Sequence, residues 1–204
     1  MKRLMLFALV AGLFLALLGC GDSNRTEPQV FVTDILSNKA FDGDIEVTQT
    51  STIFTQGADT IFVGIDPVSL SESRAFLDFS LSTVPSNAVI NSATLSIFIN
   101  SIEFRGALGA VPIRIDLISY DPARLVESDF FRTPALSTTI QPPIGPADVQ
   151  NDVTVDITPL IIEAQRLGLP ALQLRLVAEN LSTAAGLVAI DERSFAPLLT
   201  VEYF

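Results

Sequence analysis

Any catalysis in this 204-residue chain would have to rest on carboxylates. The sequence has no histidine, no tryptophan and a single cysteine, and Lys39 is the only lysine after the first twenty residues. Without histidine, Ser-His-Asp and Cys-His triads and histidine-ligated zinc are excluded. Schiff-base chemistry would fall to Lys39 alone, and no glycine-rich phosphate loop is present. Acid–base work of the glycosidase type needs two acids on opposite sides of a bond. The chain offers 23 Asp and Glu, yet their spacing singles out no pair. Asp156 and Asp191-Glu192 read as strand-end or solvated acids, the usual fate of carboxylates. The expectation is a protein that is not an enzyme, with carboxylate-dependent glycan cleavage as the minor reading.

Binding chemistry is better supplied. Asp42-Gly43-Asp44 puts hard oxygen donors on a turn, which makes Asp42 and Asp44 candidate ligands for a structural calcium ion. The stretch lacks the further ligands of an EF-hand loop, and a plain acidic turn is the competing reading. Flat aromatic rings are the usual means of holding a sugar. Phe76 and Phe98 fall out of step on otherwise polar strand faces, and Tyr120, Phe130 and Phe131 flank a proline-rich stretch. All five are candidate ligand-binding residues. Aromatic side chains also dominate cores and interfaces, so packing beneath that stretch, or against a second subunit, competes with a stacking platform. Two tyrosines and no tryptophan stock a lectin-like surface thinly.

The elements that would position these residues are short strands. Ala75, Leu77, Phe79 and Leu81 share one face of a first run, and Ala93, Leu95, Ile97 and Ile99 share one face of a second. Side chains alternate across a strand, so each run buries its odd-numbered set. Val84-Pro85-Ser86-Asn87 forms the joint between this central pair. Further strands are expected at 30–33, 45–48, 52–55, 60–65, 111–119, 153–157, 172–178, 186–190 and 198–204. Residues 120–150, with five prolines, read as a long surface excursion. Thr158-Pro159 signals a helix start, with Thr158 as the cap, Pro159 to Leu167 as the body and Gly168 as the stop. Leu160, Ile161 and Ala164 would face the core. Many alternating runs and one short helix predict an all-β fold, an antiparallel jelly-roll β-sandwich, in a single domain over residues 30–204.

The first twenty residues carry an address. Met1-Lys2-Arg3 is a basic start, and Leu4 to Leu18 is an apolar core of signal-peptide length, too short to span a bilayer comfortably. Leu17-Leu18-Gly19-Cys20 resembles a bacterial lipobox, in which the leader is cut before the cysteine and lipid is attached to its thiol. Residues 1–19 are then the signal peptide, Cys20 the lipid-attachment site, and 20–29 the acylated residue and its tether. As the only cysteine, Cys20 cannot form an internal disulfide; a plain secretory signal with an incidental cysteine is the competing reading. Gly21 in the next position resembles lipoproteins passed on to the outer membrane. The net charge of −11 includes two basic residues from the leader, so the remainder is more acidic still and would repel a phosphate backbone. Nucleic acid is not an expected partner.

Several segments together resemble the DNRLRE-type jelly-roll domain of bacterial cell surfaces, related to a carbohydrate-binding-module family. Ser73-Arg74-Ala75-Phe76-Leu77-Asp78-Phe79, Val84-Pro85 and Ala88 to Leu95 look like its central pair. Val155-Asp156-Ile157-Thr158 looks like its "vDvT" segment, and Pro197 to Tyr203 like its closing strand. Phe130-Phe131 stands where members often carry tryptophan, and the helix also lacks the common tryptophan. The resemblance implies a lipid-anchored envelope module that binds polysaccharide or an envelope partner. The hydrophobic share of 49% and mean hydropathy of +0.47 suit a second reading, a structural subunit of an envelope assembly with an apolar interface.

Overall fold

The computed structural model describes residues 29–104, 109–179 and 186–204. The leader, Cys20 and the tether up to residue 28 lie outside the described residues. Twelve strands follow one another: β1 (Phe31–Leu36), β2 (Gly43–Val47), β3 (Thr52–Gln56), β4 (Thr60–Ile65), β5 (Glu72–Ser80), β6 (Ile90–Phe104), β7 (Ile113–Leu117), β8 (Leu136–Thr139), β9 (Asp152–Asp156), β10 (Ala171–Ala178), β11 (Gly186–Asp191) and β12 (Leu198–Tyr203). Every strand pair is antiparallel. The hydrogen-bonded path runs β1-β12-β6-β11-β4-β5-β10-β7-β8, with β9 added to β6 and the β2-β3 hairpin added to β5. Its two ends do not pair, so the sheet curls into an open half-barrel around one core.

The alternation read from the sequence sets that core. Ala75, Leu77 and Phe79 of β5 and Ala93, Leu95, Ile97 and Ile99 of β6 are fully buried in one cluster. Full burial of each larger apolar side chain contributes about 1.5–3 kcal/mol. The two runs do not pair with each other, however, which corrects the expected central pair. β5 pairs with β10, β2 and β4, whereas β6 pairs with β12 and β9 in its first half and β11 in its second. The proline joint carries the chain across the core instead of turning a hairpin.

There are two short α-helices among the described residues rather than one: α1 (Glu127–Phe130), inside the excursion, and α2 (Thr158–Arg166). In α1 the Asp129 carboxylate accepts the Val126 N–H at 3.0 Å, satisfying a free donor at the helix start. In α2, Thr158 is the first helical residue and not its cap. Its hydroxyl accepts the Ala93 N–H of β6 at 2.8 Å, and its own N–H is taken by the Asp156 carboxylate at 2.8 Å. That hydroxyl is committed to docking the helix on β6. Gly168 ends the helix at φ 67°, as expected of a left-handed stop.

The excursion covers a second, smaller core of Ile45, Phe76, Ile118, Tyr120, Leu125 and Phe130. Arg175 of β10 pins it down. Its guanidinium donates to Asp116 at 2.5 Å and to the carbonyls of Asp129 and Phe130 at 2.9 and 2.8 Å. Arg74 also donates to the Phe130 carbonyl and lies 3.9 Å from that ring's centroid. Both α1 carbonyls thereby meet cations, which suit a helix C-terminus. Burial works to raise the Asp116 pKa, but hydrogen bonds from Arg114, Arg175 and Ser137 outweigh it and hold the carboxyl below the usual range.

Candidate functional site

An acidic hollow of about 330 Å³ opens where β2, β3, β4 and β5 meet the ends of β6 and β11. Four carboxylates line it: Asp44, Glu46, Asp66 and Glu103. Thr55 and Ser73 add hydroxyls, and Phe62 and Leu187 add apolar surface. The strand register explains the hollow. Residues Glu103, Leu187, Gly64, Ser73 and Glu46 stand opposite one another across β6, β11, β4, β5 and β2. Gly64, in the middle of this row, contributes no side chain. Its φ of 131° and the 2.1 Å separation between an added Cβ and the Gly186 carbonyl leave room only for glycine.

β4 pairs with β5 over only two residues, Gly64 and Ile65, and its edge then faces β2 without a strand ladder. The Asp44 carboxylate bridges that gap by accepting the Phe62 N–H at 3.3 Å. Burial pushes the Asp44 carboxyl up to about 7, against the pull of the Phe62 N–H. Asp66 is held the other way, below its ordinary range, by N–H groups of Ser69 and Val68. Glu46 accepts the Ser71 hydroxyl. Gly43 lets β2 and β3 close behind the site, since a Cβ there would lie 2.1 Å from the Thr55 carbonyl. Carboxylates only accept hydrogen bonds when ionised. The hollow therefore favours ligands rich in hydroxyl or ammonium donors and disfavours anions.

Asp42, the other expected calcium donor, is not in this hollow. Its Oδ1 accepts the Asp78 N–H at 2.7 Å, whereas Asp44 faces β4. The expected Asp42-Gly43-Asp44 turn is instead the entry into β2, and the two acids have separate surroundings. No group of three or more His, Cys, Asp or Glu side chains is placed to hold a metal among the described residues.

Four of the five expected aromatic ligand-binding residues gather beneath or beside the excursion, and Phe98 stands apart from them. Phe76, Tyr120 and Phe130 are buried in the smaller core beneath the excursion, where burial of their apolar rings outweighs exposure. They present no open ring face, which corrects the platform expected there. Phe131 is 65% exposed and packs edge-on against Phe130. Phe98 stacks on Phe195, centroids 4.4 Å apart, with the polar residues Ser96 and Thr94 further along its strand face. Sequence reasoning missed Phe62, Glu46, Asp66 and Glu103. Only Glu46 left a signal, lying two residues beyond Asp44 and so on the same strand face.

A second concavity of about 360 Å³ lies beside the C-terminal end of α2, lined by Leu81, Pro85, Ile90, Ile161 and Leu169 among others, with no titratable side chain. Glu192, expected at the surface, is 2% exposed. No described helix is long and apolar enough to cross a membrane. No protein-family model and no curated protein matches the chain.

Proposed function

We propose that this is a non-catalytic binding module of the bacterial cell envelope, lipid-anchored at Cys20 and probing polysaccharide with the acidic hollow. The hollow is the observation that carries the reading: four carboxylates, two hydroxyl side chains and the Phe62 ring around one concavity. Each carboxylate can accept sugar hydroxyls, and an aromatic ring can cover the apolar face of a pyranose. Concave sites with a few convergent polar groups are where ligands bind. The acid count selects neutral or amino-bearing glycans over acidic ones. The finer architecture proposed is a jelly-roll β-sandwich of the DNRLRE type, a likeness that rests on the sequence segments quoted above. The lipobox-like leader and Gly21 support placement at the outer membrane.

A structural subunit is the second reading, favoured by the edge of β1. Among the described residues that strand pairs only with β12, and it exposes Phe31, Val32 and Leu36. An unpaired edge with apolar side chains is a template for strand addition.

A glycan array probed with the purified protein tests both. Binding to neutral or amino glycans should weaken about tenfold or more in Phe62→Ala and Glu46→Gln, since a charge-assisted hydrogen bond is worth about 1.5–3 kcal/mol. Phe98→Ala should bind normally. The reverse pattern moves the site to the Phe98–Phe195 face. Cleavage of a bound glycan replaces the module with a carboxylate-dependent enzyme, and multimers without glycan binding favour the subunit.

A further inference from the structure

Two connections meet at one end of the half-barrel, β1–β2 and β11–β12, and they bring together acids that the hollow does not use. Ser37 follows β1, Asp42 precedes β2, and Glu192 follows β11; their side chains face one another. Backbone hydrogen bonds fix each in place. The Ser37 N–H donates to Pro197 at 2.9 Å, the Asp42 N–H to Asn38 at 2.9 Å, and the Glu192 N–H to Asp59 at 3.0 Å. All three residues are at least nine-tenths buried. Yet Ser37 Oγ, Asp42 Oδ2 and both carboxylate oxygens of Glu192 are buried with no hydrogen-bond partner outside this trio, and within it the two acids face each other acceptor to acceptor.

Four such oxygens converging from two connections would be costly if left so, because a buried polar group without a donor loses its hydration and gains nothing. Among the described residues no side-chain cation pairs with either carboxylate, and Lys39 reaches Glu192 only as a charge at a distance. Lys39 and Arg193, the nearest basic residues in sequence, both pair with Asp59 at the surface.

We propose that Ser37 Oγ, Asp42 Oδ2 and the Glu192 carboxylate bind a calcium ion that ties the β1–β2 and β11–β12 connections together. The donors are all hard oxygens, two of the three side chains are acidic, and their combined charge matches a divalent cation. Calcium takes six to eight oxygens in flexible geometry, so four from these side chains leave room for carbonyls or water. Magnesium demands a stricter octahedron. The site differs from an Asp42–Asp44 pair and stands independently of any glycan at the hollow.

Calorimetric titration of chelator-treated protein with calcium chloride is the direct test, with magnesium chloride for comparison. The expected result is a single calcium ion per chain, bound more tightly than magnesium. At about a hundredfold excess over Kd, Tm should rise by about 5–10 °C. Glu192→Gln and Asp42→Asn should each abolish the calcium effect while raising the Tm of the metal-free protein, because each removes an acid whose ionisation burial opposes. Glu103→Gln, in the separate hollow, should leave it intact. Terbium gives a second readout. Tyr120 lies close enough to Asp42 to feel its charge, so bound terbium should luminesce on tyrosine excitation and lose that emission in Tyr120→Phe. Absence of calcium heat from folded wild-type protein overturns the site in favour of a proton shared by the two acids. Binding that survives both acid substitutions overturns it as well.

Discussion

Replacing Arg175 with methionine tests how the excursion is held to the sheet. Arg175 is 2% exposed and is paired with Asp116, which is fully buried. The same guanidinium holds the Asp129 and Phe130 carbonyls. Methionine fills similar volume but removes the donations of Arg175, so the Phe130 carbonyl keeps only Arg74, the Asp129 carbonyl only the Arg132 N–H at 3.3 Å, and Asp116 Oδ2 only Arg114 at 3.2 Å. Breaking a buried ion pair by removing one partner costs about 3–5 kcal/mol. Asp116 retains Arg114 at 2.7 Å and Ser137 at 2.7 Å, so the lower end, about 3 kcal/mol, is expected. At about 2–4 °C per kcal/mol for a chain of this size, Tm should fall by about 6–12 °C. Far-ultraviolet circular dichroism on heating and in urea measures both quantities. Adding Asp116→Leu to Arg175→Met should recover part of the loss, because an apolar pair replaces an orphaned charge. Hydrogen exchange should quicken over residues 120–135 before it does in β5 or β10. A loss below about 1 kcal/mol, or a double variant no better than the single one, would refute this account of Arg175.

Two further outcomes follow from the chain's chemistry. The Asp116 pKa is lower when folded than unfolded, so the unfolded chain binds its proton first on acidification. The stability this supplies is present above about pH 4 and is lost as pH falls through the lowered folded value. Acid titration of stability should therefore be shallower in Asp116→Asn than in wild type, and equal slopes would exclude the linkage. At the other end of the chain, a labelled palmitate analogue fed to a bacterial host should be incorporated into the wild type and not into Cys20→Ser. Incorporation into both would remove the lipid anchor at that residue.

The strand faces were legible from the sequence, and so was the helix stop. Burial on a strand follows period two, and Ala93, Leu95, Ile97 and Ile99 keep it without exception. Gly168 could be read because few other residues adopt its backbone conformation comfortably. Local pattern also determined the excursion's existence, since its prolines cannot donate to a ladder. Partner choice was not legible: β5 and β6 are neighbours in sequence yet pair with different strands, because period two names a strand's buried face and not its neighbour. The same limit hid Glu192, whose burial depends on the β1–β2 loop more than 140 residues earlier in the chain. Phe76 lies on the face that β5 turns toward the excursion, the packing reading that competed with a stacking platform in the sequence. Composition alone excluded histidine chemistry. Only the tertiary structure decided which carboxylates meet, because β6, β11, β4, β5 and β2 bring Glu103, Phe62 and Glu46 to one hollow through pairing that no local interaction encodes.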